Sequence, residues 1–183
     1  MYKLRLSALC LTVLGLAACS VVPSADFPRE QNVDLDRFMG AWYVIAHIPP
    51  SMTENAYNEI ERYSRADDDT IDVRFTYREG GFDGEPQTMS PTGSVVADTG
   101  NAVWAMRFYW LLRMQYVISY VSPNYDATII ARDKRDYVWI MARRPQISEQ
   151  RYHRLVSRVS DLGYDVGQLR RVPQQPLSER DDL

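Results

Sequence analysis

Ile71-Asp72-Val73-Arg74-Phe75-Thr76-Tyr77-Arg78 alternates apolar and polar residues without a break. Ile71, Val73, Phe75 and Tyr77 share one side of an extended chain; Asp72, Arg74, Thr76 and Arg78 share the other. A period of two is the mark of a strand with one buried face. The turn Asp67-Asp68-Asp69 precedes it, and Gly80-Gly81 and Gly84 follow it. Extended runs of the same kind lie on both flanks, at residues 41–48, 58–65, 87–97, 102–110, 114–122, 127–132 and 136–143. Pro49-Pro50, Asp98-Thr99-Gly100-Asn101, Pro123-Asn124 and Asp133-Lys134-Arg135 break them apart, and Pro91 and Gly93 interrupt the run 87–97. Eight short strands at this spacing predict an all-β antiparallel barrel or sandwich.

After residue 147 the period changes. Ser148 is placed as an N-cap, Glu149 sits in the first turn, and Tyr152, Leu155, Val156, Val159 and Leu162 recur at three- and four-residue steps. Gly163 stands where a C′ glycine belongs. One amphipathic α-helix therefore trails the eight strands, with a short extended piece at residues 168–172 after it.

At the other end, Lys3 and Arg5 lead an apolar run from Leu6 to Leu16, closed by Leu16-Ala17-Ala18-Cys19. A basic n-region, an h-region of about ten residues and small residues at the cut describe a secretory signal over residues 1–18. The run is too short to span a bilayer, which takes roughly twenty apolar residues. Leu-Ala-Ala-Cys resembles the lipobox of bacterial lipoproteins, which implies lipid attachment at Cys19 and anchorage in a membrane. Ser20 after it is the kind of residue that permits sorting to the outer membrane, so the expected location is the bacterial outer membrane, at its periplasmic face. Residues 19–33 then read as a lipidated tether, 34–173 as the barrel with its helix, and 174–183 as a polar tail.

The chain has 183 residues, and 165 remain without the signal, enough for one domain with a real core. Nineteen basic residues then face twenty-four acidic ones, a net of −5, which argues against nucleic acid as a partner. Both cysteines, Cys10 and Cys19, belong to the leader, so the domain has no thiol for a disulfide, a metal or a nucleophile.

Gly40-Ala41-Trp42 opens the first strand, Pro123-Asn124-Tyr125-Asp126 fills the turn between strands six and seven, and Arg143 ends the eighth. In this order they resemble the lipocalin family, and with the lipobox, Asp136-Tyr137-Val138-Trp139-Ile140 and Pro145-Gln146-Ile147-Ser148 they look like its bacterial outer-membrane members. The resemblance implies a closed, eight-stranded, up-and-down β-barrel with the helix packed outside. It implies that Gly40, Trp42 and Arg143 form a structural motif, with the guanidinium laid over the indole.

Strand parity then selects the lining. If Arg143 points inward over Trp42, Met141, Trp139 and Tyr137 share its face, because side chains alternate along a strand. Trp104, Met106, Phe108 and Trp110 form a matching series, as do Met114, Tyr116 and Ile118. The expected ligand-binding residues are Trp104, Met106, Phe108, Tyr116, Ile118, Trp139 and Met141, a lining suited to an acyl chain. Arg113 is expected to meet a fatty-acid carboxylate or lysophospholipid phosphate. The adjoining Trp110-Leu111-Leu112 is expected to be an exposed contact surface, at the cavity mouth, on a membrane or between two subunits of a homodimer.

Catalytic, metal and cofactor signatures are missing. His47 opposes Trp42 in parity and is expected to face outward, His153 to face solvent, and Glu59 with Glu61 to form a polar strand face. Asp67-Asp68-Asp69 lacks the spaced Gly and bidentate Glu of a calcium loop, and no nucleophile elbow or phosphate loop is present. The expectation is a non-enzymatic, membrane-anchored lipocalin binding a fatty acid or lysophospholipid for storage or transport at the envelope. The alternative is a structural or interaction lipoprotein that works through Trp110-Leu111-Leu112.

Overall fold

A computed structural model describes residues 23–24, 26–50, 53–108 and 112–180, Leu112 by its backbone alone. The signal at residues 1–18, Cys19 and the Trp110-Leu111 pair lie outside the described residues, as do residues 181–183. Asp34 caps a one-turn helix α1 (Leu35–Phe38) by accepting from Arg37 N at 3.1 Å. Gly40 then takes a φ of +93°, a conformation that glycine adopts without strain, and the first strand starts.

The strands are β1 (Gly40–Ile48), β2 (Ala56–Arg65), β3 (Thr70–Glu79), β4 (Pro86–Met89), β5 (Thr92–Val95), β6 (Val103–Phe108), β7 (Leu112–Val121), β8 (Ala127–Ala131), β9 (Val138–Ala142) and β10 (Arg170–Arg171). All pairings are antiparallel between neighbours, and β9 returns to pair with β1. The barrel is closed, which removes free sheet edges. Its fourth stave is broken: β4 and β5 pair with successive parts of β3, separated at Ser90-Pro91, because proline cannot donate to the ladder.

Two apolar layers follow from the alternation. The inner layer holds Trp42, Val44, Tyr63, Val73, Phe75, Trp104, Met106, Tyr116, Ile118, Tyr137, Trp139 and Met141. The outer one joins Ile45, Val103, Val117, Ile129, Val138 and Ile140 to Leu155 and Val159 of helix α2 (Glu149–Asp161) and to Leu162 just after it. Ser148 caps α2 by accepting from Arg151 N at 3.3 Å, and Gly163, at φ +85°, ends it.

Two segments depart from the sequence reading. The expected tether is docked: Ser24 N donates to Asp133 at 3.2 Å, Phe27 is buried, Glu30 N bonds Ile118 O at 3.0 Å and Val33 N bonds Gly100 O at 2.8 Å. The expected polar tail is docked too. Gln174 Nε2 donates to both Val44 O (2.7 Å) and Glu59 O (2.9 Å) and Gln175 N to Asn58 Oδ1 (2.8 Å), while just ahead of the tail Val172 N donates to Ile45 O and Asn58 N to Pro173 O. The carboxy-terminal segment thus bridges β1 and β2 where those strands diverge.

Candidate functional site

The interior has a closed end and an open one. At the closed end Trp42 is fully buried and donates its indole N–H to Phe38 O at 2.8 Å. Arg143 lies 3.8 Å above the Trp42 ring. Its guanidinium also donates to Ala41 O, Arg37 O, Phe38 O and Tyr125 O, so it caps α1 and ties three chain segments together. Gly40 packs under it; a Cβ there would stand 3.4 Å from Arg143 Nη1. Gly40, Trp42 and Arg143 form one structural unit.

Above this plug, Trp104 and Tyr116 stack at 5.2 Å and 9°, and Tyr63 meets Trp104 edge-on at 5.6 Å. Ile118 and Met141 are fully buried beside them. Trp104, Tyr116, Ile118 and Met141 thus pack as solid core in the lower barrel. The open space lies higher, lined by Pro50, Thr53, Glu61, Phe75, Met89, Pro91, Phe108, Met114 and Trp139. Its volume is about 40 Å³, room for roughly three waters, against roughly 300–1,000 Å³ for a typical small-molecule pocket. Of the residues expected to bind ligand, Phe108 and Trp139 line this cavity and Met106 lies in the core next to them. Arg113 is a correction: Met106 pairs Met114 on the inner face, so Arg107 and Arg113 pair on the outer one, and Arg113 is exposed there.

Polar residues also line the interior, where the sequence reading placed none. A bulge between Val44 and Ala46 reverses the parity of β1, so His47 pairs with inward-facing Trp139 and is fully buried rather than outward. A second bulge, with Asn58 at φ 50°, lies between Tyr57 and Ile60. Glu61 pairs with inward-facing Trp42, and Glu59 and Tyr63 share its parity, so these two glutamates lie on the inner face and are not a solvated strand face. Gln174 holds both bulges through the carbonyls of Val44 and Glu59. The only local cue was Asn58, a residue type that tolerates the left-handed region. His153 is exposed as expected.

His47 Nδ1 stands 3.2 Å from Glu59 Oε2, close enough for an ion pair but off the direction of a hydrogen bond. Arg170 Nη1 approaches His47 Nε2 at 3.3 Å and donates to Ala56 O. Burial pushes the Glu59 carboxyl above its usual range, against the opposing pull of His47 and Arg170. Burial, reinforced by neighbouring Glu59, pushes Glu61 up to about 8, while the Tyr116 hydroxyl, donating at 3.4 Å, pulls it down. Glu61 is therefore mostly a neutral acid at pH 7. Among the described residues no group of three His, Cys, Asp or Glu is arranged to hold a metal ion.

A family model described as a lipocalin-like domain matches residues 33–174. Temperature-induced lipocalin-1 of Arabidopsis thaliana is 26% identical over 164 residues, covering 79% of this chain and 81% of its own. The outer membrane lipoprotein Blc of Citrobacter freundii is 24% identical over 166 residues, covering 89% and 92%. Among solved structures, insecticyanin from Manduca sexta superimposes with a TM-score of 0.65 at 14% identity, covering 83% of this chain and 92% of its own. That likeness concerns the fold.

Proposed function

The chain belongs to the lipocalin family, and on that premise we propose that it carries one single-chain lipid, a fatty acid or lysophospholipid, anchored at the outer membrane through Cys19. The fold itself suggests a small hydrophobic ligand. The observation that carries the finer reading is the apolar throat of Phe75, Met89, Phe108, Met114 and Trp139 at the open end of a closed barrel. A chain enters by displacing side chains, and two of the five are methionines, which are unbranched and re-pack at low cost. The reading makes the protein a carrier rather than an enzyme. The names of the Blc relatives, outer membrane lipoproteins, support the anchor and the location.

Thermal unfolding with and without lysophospholipid or oleate tests the cargo. Ligand at a hundred times its Kd stabilises the folded state by about 2.7 kcal/mol, a rise of roughly 5–10 °C in Tm for a domain of this size. No rise at saturating ligand refutes the reading. The intact mass of natively purified protein tests the anchor, through the acyl groups expected on Cys19.

A further inference from the structure

The upper interior holds more polar chemistry than an apolar chain requires. Glu61 walls the cavity and is only 7% exposed; Glu59, two residues before it on the same face, is fully buried. Neither oxygen of Glu59 has a hydrogen-bond partner among the described residues. Trp139 walls the same cavity, is 7% exposed, and its indole N–H also has no partner. Buried polar groups are ordinarily paired; the cavity wall carries the Glu61 carboxyl and the unpaired indole N–H, with the Glu59 carboxyl behind that wall, a set that calls for a guest bearing both a donor and an acceptor.

We infer that the inner end of the cavity is a head-group subsite for a primary ammonium on a single apolar chain, seated against Glu61 with Glu59 behind it, and with Trp139 Nε1 donating to an oxygen on the adjoining carbon. The inference rests on the single-chain reading above and, within it, sets the fatty-acid head aside in favour of an amine-bearing one. A carboxylate head is disfavoured because it would add a further negative charge close to Glu61 and Glu59, where the charge of Glu59 already raises Glu61. The hydroxyls of Tyr63 and Tyr116 already bond one another, and Tyr116 is turned to Glu61. Arg170 supplies positive charge near Glu59, with the His47 ring 3.2 Å from that carboxyl, whereas among the described residues no cation is set against Glu61. An ammonium beside Glu61 restores its charged form, since an opposite charge at 4–6 Å offsets burial. A cavity of about 40 Å³ holds the head and its first carbons, and the chain continues past Phe108 and Met114 to the mouth.

Chain-matched probes separate these ideas: dodecylamine, dodecanoate and 1-dodecanol, titrated calorimetrically at pH 7 below their micellar concentrations. The wild-type protein should bind the amine at least tenfold tighter than dodecanoate. Glu61→Gln, which keeps the shape of the side chain, should bring that ratio below threefold while 1-dodecanol binds as before; Glu59→Gln is the second variant, read the same way. Because the ratio is taken within each protein, partial loss of fold affects all probes alike. Dodecanoate binding as tightly as the amine, or both variants keeping the wild-type ratio, overturns the inference and leaves chain binding standing. Failure of all three probes to bind overturns the reading beneath it as well.

Discussion

Replacing Glu61 with Gln should stabilise the protein, by an amount that grows with pH. The Glu61 carboxyl is raised from 4.5 to about 8, chiefly by burial and then by Glu59. A group whose folded pKa is raised holds its proton more tightly in the folded state. Stability is therefore lost as pH rises from the unfolded value through the folded one. Each pH unit in that window is worth about 1.4 kcal/mol. The cost is absent below pH 4.5, reaches about 3 kcal/mol at pH 7, and levels off near about 5 kcal/mol above pH 8. Glutamine carries no such cost. At pH 7 the gain corresponds to a Tm roughly 6–12 °C higher. Urea unfolding of both proteins from pH 4.5 to pH 9 measures the difference directly. A difference that stays flat across that range, or a variant less stable at pH 8 than the wild type, would refute the buried-acid argument.

Arg143→Ala should cost at least about 3 kcal/mol, because it removes four hydrogen bonds to backbone carbonyls and uncovers Trp42. Arg143→Lys should recover no more than about half of that, since an ammonium lacks the planar fork; chemical denaturation of the pair checks this, and equal stabilities would show that the guanidinium plane is irrelevant. Gln174→Ala should cost about 1–2 kcal/mol by orphaning the carbonyls of Val44 and Glu59. The same variant should speed amide exchange around residues 44–47 and 58–60, and unchanged exchange there would mean that the bulges stand without their clasp.

Most of the barrel was legible because its strands obey strict alternation. On β9, Tyr137, Trp139 and Met141 turn inward and Val138, Ile140 and Ala142 turn toward α2, as parity required. His47 was misplaced because one extra residue in β1 resets the alternation beyond it, and pattern counting carries no record of a reset, whereas Glu59 and Glu61 share parity with inward Tyr63 and were misplaced because a charged residue type was read as an outward face. The clasp at Gln174 lies 130 residues from Val44, beyond any local signal. Phe27 was hidden in a stretch without a period and found its place only against the finished outer layer. Cavity size was illegible for another reason. The same aromatic series can surround a void or fill it, and the stacking of Trp104 on Tyr116 decides for filling in the lower half.

The docked strap has a directional consequence. It runs from Ser24, beside the turn between β8 and β9 at the end where the throat opens, down to Val33 at the plugged end. Only four residues lie between Cys19 and Ser24, five chain steps with a reach of at most about 18 Å. A fatty acyl group on that cysteine would tip the goblet rim-first toward the bilayer. On the lipid-carrier reading proposed above, the mouth would then face the leaflet that supplies its cargo.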